Sequence, residues 1–122
     1  MIAQSMGWIV VVIAHFVGDY ALLNEYLAVN KIKFPYVRLA HSIIWSGCIL
    51  AALAIVGVNL GEGPAWWTPL WVSVFLVSTH FLADGVAHKS RVDLYMDQGY
   101  HILCVLILWA LLTYGQGWLY GA

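Results

Sequence analysis

The chain has 122 residues, of which 63% are hydrophobic and only 9% charged, and its mean hydropathy is +0.85. A soluble domain of this size cannot hide so much apolar surface, so the expectation is an all-α integral membrane protein forming one domain over residues 1–122, with the lipid bilayer as its first partner. The net charge of −1 and the absence of an extended basic patch exclude a nucleic-acid partner.

A helix needs about 20 residues to cross a bilayer. Four apolar segments reach that length, near 7–28, 37–58, 68–89 and 96–118, and predict a four-helix transmembrane bundle. The first has no basic flank and no small-residue cleavage site, so no cleavable signal peptide is expected. The connection "VNKIKFPY", 29–36, carries Lys31, Lys33 and Pro35, and Arg38 opens the second segment. The loop "GVNLGEGPAWW", 57–67, has Glu62 but no Lys or Arg, and the third connection holds Lys89, Arg91 and Asp93.

All five positive charges therefore fall in or beside connections on one side of a four-span chain. The excess of Lys and Arg in cytoplasmic loops assigns that side to the cytoplasm, with both termini outside. Trp8, Trp66, Trp67, Trp71 and Trp118 fall at the opposite edge, where an aromatic belt is expected. Cys48 and Cys104 sit in apolar stretches without a metal-type spacing, and read as small core residues.

"AHFVGDY", 14–20, and "THFLADG", 79–85, both contain H-F-x-x-D, in segments that run the same way. Each is followed by a returning segment with a histidine in its cytoplasmic half, His41 and His101. The pattern predicts two helical hairpins related by a pseudo-twofold axis along the membrane normal. At about 1.5 Å per residue, Asp19, His41, Asp84 and His101 lie roughly 7–15 Å from the cytoplasmic ends of their spans. His15 and His80 lie one turn deeper, and Asp97 one turn shallower than His101.

Seven ionisable groups on four helices thus share one layer. On insertion scales an aspartate in a spanning helix costs about 2.5–3.5 kcal/mol, so such groups face the bundle interior and pair there. A histidine and a carboxylate four residues apart lie on one helix face and chelate well, and such sets suit zinc, manganese, iron or nickel. The candidate metal ligands are His15, Asp19, His41, His80, Asp84, Asp97 and His101. They suffice for two divalent metals, or for one metal with acid–base groups, for which Asp19 and Asp97 are the catalytic candidates. The competing reading takes His15–Asp19, His80–Asp84 and Asp97–His101 as hydrogen-bonded pairs that hold helices together.

His88, beside Lys89, reads as an interfacial residue and Asp93 as the N-cap of the last helix. Glu25 and Glu62 read as interfacial or loop charges. Asn24 and Asn30 either end the first span or hydrogen-bond near the site. Ser42, Ser46, Gly47, Ala51 and Ala52 predict close helix packing along the second span.

"HFVGDYALLNEYLAVNK", 15–31, with His41, "HFLAD" and "DQGYH", resembles a small bacterial and phage inner-membrane family known as domain of unknown function 3307. The matching positions are His15, Gly18, Asp19, Asn30, Lys31, His41, His80, Asp84, Asp97, Gln98 and His101, with Leu23 a departure where that family's pattern has Gln. The resemblance implies a bacterial inner-membrane location and brings no established activity. The His/Asp content is also loosely similar to that of membrane-bound metal-dependent hydrolases.

Three functions are expected. The first is a divalent-metal-dependent hydrolase acting near the cytoplasmic face on a lipid-like substrate. The second is a proton or metal-ion transporter, which needs a homo-oligomer because four helices enclose little pore. The third is a structural or phage accessory protein that binds a host membrane protein.

Overall fold

The structure is a computed structural model that describes residues 6–58, 67–90 and 94–114. The roles expected of Glu62, Trp66, Trp67, His88, Lys89, Arg91, Asp93 and Trp118 fall outside the residues and side chains it describes. All regular structure among the described residues is helical: α1 (Gly7–Phe16), a π-helical turn (Val17–Ala21), α2 (Glu25–Lys33), α3 (Pro35–Ile55), α4 (Trp67–Ser90) and α5 (Leu94–Tyr114).

The first segment departs from the expected unbroken span. The amide of Leu22 donates to the carbonyl of Val17 at 3.0 Å, the five-residue step of a π turn. Asn24 then starts a new helix, its side chain accepting the Leu27 amide at 2.8 Å. Glu25 lies in the first turn of α2 and Lys31 and Lys33 in its last, each complementing the helix dipole. α2 turns 86° away from the preceding helix. It ends where Phe34 becomes extended ahead of Pro35, and that proline opens α3 at a position where no amide is needed. The stretch expected to be a loop, 29–36, is therefore mostly helix.

α3 and residues Tyr95–Tyr114 of α5 are each long and apolar enough to cross a membrane. α1 and α2 qualify together only as a bent pair, and the apolar part of α4, Leu70–Val86, is shorter. The described residues are all-helical with two to three candidate spans among them, where the sequence predicted four. The two expected hairpins also differ: the first is broken at the π turn, whereas α4 runs without a break.

Four helices each present one stripe to the core: Gly7, Val11 and His15 on α1; Val37, His41, Trp45, Ile49 and Leu53 on α3; Val72, Leu76 and His80 on α4; and His101, Val105, Leu108 and Leu112 on α5, while α2 buries none of its residues. Steps of three and four keep each stripe on one face. In every stripe the histidine lies on the side of α2. The apolar core fills the opposite half with Ile49, Leu53, Val72, Leu76, Leu108 and Leu112. α3 closes in a left-handed turn at Gly57, φ +72°, with the Val58 amide donating to the Leu53 carbonyl at 3.1 Å. Cys48 and Cys104 are half-buried on the flanks, not in the core.

The π turn packs tightly on α3 at Gly18. A Cβ there would lie 3.0 Å from the Trp45 Cα and 3.2 Å from its Cδ1. Backbone cannot yield as a flexible side chain can, so Gly18→Ala is expected to destabilise the protein by about 1–3 kcal/mol. Thermal unfolding in detergent measures it, and an unchanged midpoint would show that the contact between the π turn and α3 is loose.

Candidate functional site

The core stripes bring the histidines together. His15, His41, His80 and His101 are 0–1% exposed, and the His80 ring centroid lies 4.4 Å from that of His101 and 5.0 Å from that of His41. The π turn supplies Asp19, buried with Gly18, and α4 supplies Asp84 one turn beyond His80.

Asp19 Oδ1 lies 3.1 Å from His41 Nε2 and 3.6 Å from His80 Nε2. Asp84 Oδ2 lies 3.7 Å from His80 Nε2 and 3.8 Å from His41 Nε2, and its Oδ1 lies 3.6 Å from His101 Nε2. Two triads, Asp19–His41–His80 and His80–Asp84–His101, each hold their donor atoms within 4.8 Å of one another, and such a group could hold a metal ion. Ligands on a tetrahedral zinc at 2.0–2.1 Å stand about 3.3 Å apart. The 3.1–3.8 Å separations here bracket that spacing.

His15 and Asp97 occupy different places. The indole N–H of Trp45 donates to His15 Nδ1 at 3.0 Å. Indole nitrogen only donates, so Nδ1 accepts and the proton of a neutral His15 sits on Nε2. His15 Nε2 then donates to Gln98 Oε1 at 2.8 Å. This fixes the Gln98 amide, whose nitrogen donates to Asp19 Oδ2 at 2.9 Å and to Asp97 Oδ2 at 3.3 Å. Asp19 is held by one oxygen while the other faces His41 and His80. Such outer hydrogen bonds set the angle of an inner carboxylate. Asp97 sits at the rim, its side chain 19% exposed and its Oδ1 3.4 Å from His101 Nε2.

The centre is polar but incompletely satisfied. Both ring nitrogens of His80, Nε2 of His101, Nδ1 of His41 and Oδ1 of Asp97 are buried without a hydrogen-bond partner. Orphaned buried polar atoms are costly, and a cluster of them is chemically suited to hold an ion or water. Trp45 stacks on His80 at 4.4 Å and 16°, so one indole ring both packs His80 and wires His15. Lys31 Nζ, at the end of α2, contacts Asp84 Oδ2 at 3.1 Å.

The roles of three site residues were not legible from the residues alone. Trp45 reads as one more apolar residue of a span. Lys31 reads as a charge of the first connection, and Gln98 enters only through the family resemblance. Asn24 caps α2, and Asn30 donates to the Tyr26 carbonyl at 2.9 Å, so both belong to α2 and not to the cluster.

No curated protein and no solved structure matches the chain. A family described as "protein of unknown function" matches residues 8–120, a range that includes every residue of the His/Asp cluster and of the Trp45–His15–Gln98 chain behind it. The chain, two of whose described helices are long and apolar enough to cross a membrane, belongs to that family, DUF3307.

Proposed function

We propose that the chain is a multi-pass inner-membrane hydrolase that uses one divalent metal, held near the cytoplasmic face, to activate water against a lipid-like substrate. One observation carries this reading. The imidazole nitrogens of His41, His80 and His101 and the carboxylates of Asp19 and Asp84 converge at ligand-to-ligand spacing, with His80 otherwise unpartnered. Zinc, manganese, iron and nickel all suit this donor set. When bound, the metal lowers the pKa of a coordinated water.

In this reading His15 is not a ligand. With Trp45 and Gln98 it orients Asp19. Asp97, at the rim beside His101, moves the proton. The α1–α2 pair, α3, α4 and α5 make four crossings with both termini outside, and the paired H-F-x-x-D motifs descend from an old duplication. A second reading, proton transport, draws on the continuous hydrogen-bonded chain Trp45–His15–Gln98–Asp19–His41.

Proteoliposomes separate the two. Metal-loaded protein is expected to release a soluble headgroup or a fatty acid from bilayer lipids. Asp97→Asn is expected to cut that turnover at least 100-fold, the usual weight of general acid–base catalysis, with metal content unchanged. Proton flux without turnover would overturn the hydrolase reading.

A further inference from the structure

We infer that the chain holds an anionic, phosphate-headed amphiphile between α3 and α4, its tail in an apolar groove and its headgroup on Arg38 and Lys31. The groove, about 400 Å³, is walled by Pro35, Tyr36, Leu39, Val77, Phe81 and Leu82. That size is in the range of small-ligand sites. A cation stands beside the groove. Phe81 forms part of the wall, and the Arg38 guanidinium lies over the same ring, Cζ 4.6 Å from its centroid. Arg38 Nε is buried without a hydrogen-bond partner, and no carboxylate among the described residues pairs with this side chain.

Gly85 creates the seat for that cation. A Cβ at this position would lie 3.1 Å from Arg38 Nη1 and 3.4 Å from its Cζ, so the missing side chain lets the guanidinium rest against α4. The preceding residue is Asp84, which Lys31 contacts from α2. Two cations on two helices thus flank the Asp84–Gly85 step. A planar guanidinium fork and a point-charge ammonium together match a phosphate with several free oxygens. Basic pockets between spanning helices on the cytoplasmic side recognise such headgroups.

The inference names the substrate class of the proposed metal centre and rests on that reading only for the chemistry after binding. Arg38 holds the headgroup with or without a metal; a metal held by Asp84 would free Lys31 from its 3.1 Å contact with that carboxylate to reach the headgroup as well.

The test is lipid selection from nanodiscs of equal phosphatidic acid and phosphatidylcholine, with the lipid retained on re-extraction counted by mass spectrometry. Wild-type protein is expected to retain phosphatidic acid preferentially, with or without chelator. Arg38→Gln should lower that preference about tenfold, the weight of one charge-assisted hydrogen bond, at unchanged helicity. Leu82→Trp, which fills the groove without touching a charge, should also lower it, and Lys33→Gln, an exposed cation of α2, should not.

Equal loss in Lys33→Gln would reduce the effect to surface charge and overturn the inference. Displacement of the lipid by millimolar inorganic phosphate would show that the headgroup alone is read, and overturn the role of the groove. Metal without lipid preference defeats this inference alone. Lipid preference without metal defeats only the proposed metal centre.

Discussion

His80→Ala is expected to weaken divalent-metal binding by more than about 100-fold, beyond what loss of an outer-shell partner costs. His80 is the residue common to both triads, so its removal leaves neither with three donors. Helical content should not change, because the apolar half of the core is untouched. Equilibrium dialysis with zinc, read beside circular dichroism, makes the measurement. Metal and proton compete for the same imidazole nitrogens, so wild-type affinity should fall as pH is lowered. A His80→Ala protein that binds zinc as tightly as wild type would move the site elsewhere.

The largest loss of stability is expected at Trp45. Its side chain is fully buried, stacks on His80 and donates to His15. Trp45→Ala should cost about 3–5 kcal/mol, the range for emptying a buried aromatic site. Trp45→Phe separates packing from wiring. It keeps an aromatic ring near His80 but leaves His15 Nδ1 without its donor, which should cost about 1–3 kcal/mol. Unfolding curves of both variants in one detergent give the comparison. If Trp45→Phe matches Trp45→Ala in stability, the hydrogen bond carries the effect; if it matches wild type, the bond to His15 contributes nothing.

The sequence made some of this legible for definite reasons. His80 and Asp84 are one turn apart, and His41 and His101 sit at matching depth in segments of clear hydropathy, so helical geometry alone places them in one layer. The broken first span was hidden because residues 7–23 are apolar almost throughout, and hydropathy does not register a π turn. The local signals for α2 were nevertheless present: Asn24–Glu25 as a cap and first turn, Lys31 and Lys33 at a helix end, and Pro35 as the start of the next helix. The roles of Trp45 and Gln98 could not be read, since they depend on which ring atom meets which partner across four helices. His15 shows the same limit, because its spacing from Asp19 made it a ligand candidate while both its nitrogens are taken by Trp45 and Gln98.

The most direct test of the metal centre is X-ray absorption at the metal edge, with elemental analysis, on wild-type protein purified in detergent after incubation with zinc, manganese, iron and nickel. About one metal per chain is expected, in a shell of nitrogen and oxygen only; for zinc its distances are about 2.0–2.2 Å. Protein that takes up none of the four metals would contradict the His/Asp metal centre, as would a shell containing sulfur from Cys48 or Cys104.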